Sequence, residues 1–178
     1  FHKYGIKSKY NYFMSTTMKF KYVSYLWDES AAAALKGDEV GLLLYRSNLL
    51  GADLRLTNYG GGNTSCKVTE KDPLTGVDTE VMYVKGSGGD LGTLKRNGLA
   101  GLYLEKLIAL KKIYRGLKHE DEMVGLFDRC IFDLDSKAPS IDTPLHAFLP
   151  FAHVDHLHPD AAIAIGPCNN AEKIKHEL

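Results

Sequence analysis

CKVTEKDPLTGVDTEVMYVK, residues 66–85, is the stretch that decides the fold. Its ends, CKVTE and EVMYVK, carry β-branched and aromatic residues, and the intervening DPLTGVD (72–78) is dense in turn formers. Apolar-rich runs bounded by Pro, Gly and Asp read as strands, so the stretch predicts an antiparallel hairpin. Upstream, DEVGLLLYRSNLL (38–50) has acidic residues in its first turn, an apolar stripe through Val40, Leu43, Leu44 and Leu50, and Gly51 as a stop. That is a helix pattern. LRLTNY (54–59) reads as a further short strand ending at the glycine run Gly60–Gly62.

Downstream, Leu99, Leu102, Tyr103, Leu107, Leu110, Ile113, Tyr114 and Leu117 recur at helical spacing and predict a long helix over 95–117. A shorter helix is predicted over 121–132. Thr143-Pro144 reads as an N-cap followed by Pro at the first helical position, opening a helix that stops before Pro150. Residues 151–158 are predicted extended, AAIAI (161–165) a buried strand, and NAEKIKHEL (170–178) a helix. Strands interleaved with helices and hairpin turns predict an α/β sandwich around a mainly antiparallel sheet. Residues 1–24 are assigned to an N-terminal extension and 25–178 to the domain.

Composition narrows the function classes. The 178 residues are 44% hydrophobic and 25% charged, an ordinary globular balance. Lys+Arg and Asp+Glu both number 22, which argues against nucleic-acid binding, where many cations face phosphate. No apolar run approaches the roughly 20 residues of a membrane span. Cys66, Cys130 and Cys168 are odd in number and far apart, so they form no disulfide framework, and a reducing cytoplasm is expected.

Four histidines, His146, His153, His156 and His158, crowd into one short stretch. In a strand His156 and His158 point to the same face, offering two neutral nitrogens to a divalent metal, whereas His153 and His156 point to opposite faces. The alternative for the pair is ordinary strand hydrogen bonding. Asp142, in APSIDTPLH (138–146), is a candidate proton shuttle or third ligand, or simply a turn residue before the helix. Two glycine-rich loops, YGGGNTS (59–65) and KGSGGD (85–90), follow predicted strands. Their backbone N–H groups could curl around an anion, with Asn63, Thr64, Ser65 and Ser87 as added donors and Lys85 as a nearby cation. Neither loop fits the P-loop or dinucleotide pattern.

The ordered series GGGNTS, VKGSGGDLGT, PSIDTPLH and VDHLHPDA resembles the class II aldolase/adducin family over roughly residues 25–175. The wording is most similar to the aldolase half of bifunctional rhamnulose-1-phosphate aldolase/short-chain dehydrogenase proteins. The resemblance implies that Asn63, Ser87, Gly88, Ser140 and Ile141 grip a substrate phosphate, Ile141 standing where the family commonly has a second serine. It implies Asp142 as the catalytic carboxylate and His156 and His158 as zinc ligands. The resemblance implies a three-layer α/β/α sandwich; a third ligand histidine is expected beyond residue 178, since His176 sits in a charged tail, so the chain reads as a C-terminally truncated domain that is inactive alone. A phosphorylated sugar substrate and a homo-oligomeric full-length protein are also implied. The activity implied is cleavage of a ketose 1-phosphate, rhamnulose 1-phosphate above all, to dihydroxyacetone phosphate and lactaldehyde. The alternatives are a metal-dependent pentulose-phosphate 4-epimerase or dehydratase, in whose relatives Asp stands at this place, and a non-catalytic adducin-like assembly module.

Overall fold

The predicted hairpin forms. In the computed structural model, which describes residues 25–57, 59–119 and 121–177, β1 (Asn63–Lys71) pairs antiparallel with β2 (Asp78–Lys85), from Ser65 opposite Val84 to Lys71 opposite Asp78. The assigned extension, residues 1–24, lies outside the described residues. The turn is closed by the Asp72 carboxylate, which accepts the N–H groups of Leu74 at 3.0 Å and Thr75 at 2.8 Å and the Tyr103 hydroxyl at 2.7 Å. Those donors, the Tyr103 hydroxyl first, hold the Asp72 carboxyl down at about 2. A carboxyl lowered in the folded state stabilises it above the unfolded pKa and loses that contribution as pH falls through the folded value. The stability gap between the wild type and Asp72→Asn should therefore be full above about pH 4 and shrink toward about pH 2. Urea denaturation across that range checks it, and a constant gap would refute it.

Residues 95–117 depart from the predicted long helix. A 3-10 turn, Arg96–Gly98, leads into β3 (Leu99–Tyr103), then α3 (Leu104–Ala109) and a 3-10 turn at Leu110–Lys112. β3 pairs antiparallel with β2, Lys85 opposite Leu99 and Val81 opposite Tyr103. Backbone pairing along the open edge of β2 outweighs a helical leucine spacing, and the glycines at 98 and 101 weaken the helix further. Side chains alternate as a strand requires. Leu99 packs with Val40, Leu43, Cys66, Leu91 and Leu94, whereas Ala100 and Leu102 pack with Leu107, Phe127 and Ala147.

Three further expectations are corrected. LRLTNY forms no strand over its described residues; Leu54–Leu56 turn locally, with the Leu56 N–H bonded to the Asp53 carbonyl at 2.9 Å and the Arg55 N–H to the Asp53 carboxylate at 3.0 Å. Asp bonding its own backbone neighbours competes with sheet pairing. The helix over 121–132 is cut to α4 (Asp121–Val124), with Gly125 separating it from a 3-10 turn at Phe127–Cys130. AAIAI is not a buried strand but belongs to α6 (Asp160–Ile165), a helix without buried residues that starts at Pro159, where a fixed φ suits a helix entry.

Other expectations hold. α2 (Glu39–Gly51) is capped by Asp38, α5 (Thr143–Phe148) stops before Pro150, β4 (His153–His156) is extended, and α7 (Ala171–Glu177) ends the described chain. α1 (Glu29–Ala34) precedes them. Thr143 is the first helical residue rather than the cap, which falls to Asp142. The sheet runs β3-β2-β1-β4, each neighbour antiparallel. α2 packs on one face and α3 with α5 on the other, the three layers expected. All three cysteines are free, and burial pushes the Cys66 thiol up to about 12. No described helix is long and apolar enough to cross a membrane.

Candidate functional site

The start of β1 builds the floor of the site. Asn63 and Ser65 share the face under α5, while Thr64 turns to the opposite layer and bonds Ser47 of α2 at 2.7 Å. Asn63 is fully buried, lies opposite His156 in the β1–β4 register, and donates from Nδ2 to the Lys85 carbonyl at 3.3 Å. Its Oδ1 is buried without a partner.

The second glycine loop is drawn to the same place. Gly86 bridges to Pro139, and the Ser87 N–H donates to the Ala138 carbonyl at 2.9 Å, which sets the loop against the segment entering α5. Ser87 and Gly88 are exposed there, Gly88 with φ +74° in the region that favours glycine. Ser140 Oγ donates to Asp142 Oδ2 at 3.2 Å and accepts the Asp142 N–H at 3.3 Å. Asp142 Oδ2 stands 3.7 Å from His156 Nδ1. The His156 and His158 rings are 4.8 Å apart at 68°, neighbours as the H-x-H spacing predicts, although β4 ends at His156 and His158 is exposed beyond it.

Asn63, Ser87, Gly88, Ser140, Asp142, His156 and His158 thus gather at one end of the sheet. Ile141 is 63% exposed and brings only its backbone. His153 stays outside, with Arg46 Nη1 at 3.2 Å and Glu39 at 3.4 Å. His176 is exposed on α7, and no group of three or more possible metal ligands occurs among the described residues. Two open grooves, of about 360 Å³ beside Lys67 and Phe148 and about 460 Å³ beside Trp27 and Arg46, lie on other parts of the surface.

Lys85 emerges as a stronger member than its sequence position beside the loop implied. It is 3% exposed, and its Nζ donates to the Gly89 carbonyl at 2.7 Å, Gly86 at 3.4 Å and Gly60 at 3.5 Å. Among the described residues no carboxylate lies within ion-pair distance of it. Burial lowers its pKa, opposed by Asp142 and Asp90. A buried cation held only by carbonyls of both glycine loops leaves positive charge for an anion.

A family model, the class II aldolase and adducin N-terminal domain, matches residues 42–177, and the chain belongs to that family. An uncharacterized oxidoreductase of Bacillus subtilis (strain 168), YuxG, is 48% identical over 157 residues. That match takes in 88% of this chain but 22% of the relative, so the chain spans about a fifth of its length. The N-terminal class II aldolase domain of a conserved protein from Thermoplasma acidophilum superposes with a TM-score of 0.70 at 31% identity, covering 91% of this chain and 70% of that one.

Proposed function

We propose that the chain is the aldolase domain of a zinc-dependent enzyme that cleaves a ketose 1-phosphate, rhamnulose 1-phosphate in our reading, to dihydroxyacetone phosphate and lactaldehyde. The observation that carries it is the Asp142 carboxylate 3.7 Å from the His156 imidazole, at the sheet end where both glycine loops converge. The match to 22% of a relative named an oxidoreductase supports a larger protein in which a dehydrogenase accompanies the aldolase.

The donor chemistry fits a divalent cation in part. His156 and His158 would hold it; Asp142 faces Nδ1 of His156, which leaves Nε2 for the ion. A third ligand would have to come from outside the described residues. When bound, the cation supplies Lewis-acid stabilisation of the charge that cleavage places on the ketone oxygen. Asp142 moves the proton: the C4 hydroxyl loses it as the C3–C4 bond breaks, the aldehyde leaves, and C3 is reprotonated. Asn63, Ser87, Gly88, Ser140 and the Ile141 N–H would hold the phosphate, with Lys85 as its counter-charge. Phosphate held there positions the reacting carbons against Asp142.

Asp142 beside His156 also favours a second reading, a pentulose-phosphate 4-epimerase. Incubation of the zinc-loaded full-length protein, which would supply the third ligand, with rhamnulose 1-phosphate and with ribulose 5-phosphate separates the two. Aldehyde release from the first is expected. Conversion of only the second to its C4 epimer would replace the aldolase reading, and no metal and no turnover would leave an adducin-like assembly module.

A further inference from the structure

We infer that His146 is a positioning residue, whose bond to Ser65 fixes the first turn of α5 so that Asp142 faces His156. The inference rests on the reading of Asp142 and His156 as the reacting pair.

The observation behind it is a buried polar contact that the core does not need. His146 is fully buried, and its Nδ1 lies 2.8 Å from Ser65 Oγ across 81 residues of sequence. Its Nε2 is buried without a hydrogen-bond partner. An apolar side chain of similar volume would avoid the desolvation of an imidazole, so the contact specifies geometry more than it adds stability.

What it specifies follows from position. His146 lies one turn after Asp142 on the same helix face, and its N–H donates to the Asp142 carbonyl at 3.4 Å. Ser65 lies two residues along β1 from Asn63, and opposite it stands Val154, two residues before His156. The bond therefore pins the turn that carries Asp142 to the row of the sheet adjoining Asn63 and His156. α5 has only six residues and makes no side-chain cap bond at its N-terminus. Thr143 Oγ1 also donates to the Ser140 carbonyl at 2.6 Å, but that bond stays within the turn, whereas His146–Ser65 is a side-chain bond that ties the helix across to β1. Misplacement of about 1 Å at a reacting group can cost about 100-fold in rate.

The test compares His146→Leu, His146→Gln and Ser65→Ala with the wild type by two-dimensional amide NMR and by kinetics. Leu removes the bond at similar bulk, whereas the Gln amide can still reach Ser65 Oγ. The expected result is amide shift changes at Asp142, Thr143 and His156 in both His146→Leu and Ser65→Ala, largely reversed in His146→Gln. With rhamnulose 1-phosphate and the variants placed in the full-length protein, kcat should fall at least tenfold in the first two variants with KM within threefold, and recover within threefold in the Gln variant. Unchanged amides at Asp142 and His156 in Ser65→Ala, or equal kinetic loss in the Leu and Gln variants, would reduce His146 to a packing residue. Should His146→Leu fail to fold, Ser65→Ala carries the same comparison. Absence of turnover in the full-length wild type would count against the aldolase reading, while the amide shifts still decide the positioning role.

Discussion

Asp142→Asn in the full-length protein is expected to lower kcat on rhamnulose 1-phosphate by about 1,000-fold, within the range for loss of a general acid–base group. Asn keeps the size of the side chain and an oxygen for the Ser140 hydroxyl, so local geometry should survive. What disappears is the charge and the ability to carry a proton 3.7 Å from His156. Zinc affinity, measured by calorimetry, and KM should change little if the carboxylate acts as base. Loosened zinc together with lost turnover would make it a ligand, and kcat within tenfold of wild type would remove it from the chemistry altogether. His153→Ala supplies the control, because that imidazole faces Arg46 and Glu39 and should leave turnover unaffected.

Local signals and the resemblance they build named most of the residues of this candidate site. Glycine runs, the H-x-H step and the Asp-Thr-Pro entry each report geometry settled within a few residues, and the structure brings their side chains to one end of the sheet. Two features were not legible. That Lys85 meets only carbonyls depends on how Gly60 and Gly89 fold back toward it. That His146 bonds Ser65 depends on α5 crossing β1, a contact between distant parts of the chain. A lysine beside a glycine loop, and a histidine in a helix, each look the same from sequence whether buried or exposed.

The same division explains the fold. The hairpin 66–85 was readable because turn chemistry and strand composition agree over 20 consecutive residues. Residues 99–103 were not, since leucines at 99, 102 and 107 also satisfy a helical stripe and only the free edge of β2 decides between the two. AAIAI fails differently: a short apolar run carries too little periodicity to separate strand from helix, and the helix entry at Pro159 settles it.

Gly51→Ala should destabilise the domain by about 3 kcal/mol or more, at or beyond the upper end of what overpacking costs. Alanine near a helix end normally stabilises, because it restricts the unfolded chain. At Gly51, the last residue of α2, an added Cβ would meet the Gly92 nitrogen at 1.9 Å and the Gly92 Cα at 2.5 Å. Those are backbone atoms, and no rotamer change relieves them. Nor can the Leu91–Thr93 turn easily retreat, since Asn48 Nδ2 donates to the Leu91 carbonyl at 2.9 Å and the Leu94 carbonyl at 3.1 Å, and Asp90 Oδ1 accepts the Gly92 N–H at 2.7 Å. Asp90 Oδ2 also receives the Gly60 N–H at 3.4 Å, so a push on this turn travels into both glycine loops. Loss of phosphate affinity should therefore accompany the loss of stability. Gly166→Ala is the matched control: a Cβ there comes no nearer than 3.6 Å to the Ala162 carbonyl, in an exposed αR position, and stability should hold or rise slightly. Urea denaturation of the two variants decides the matter. Equal stabilities would mean that α2 and the turn can part without cost, and the close approach would then not be what anchors the loops.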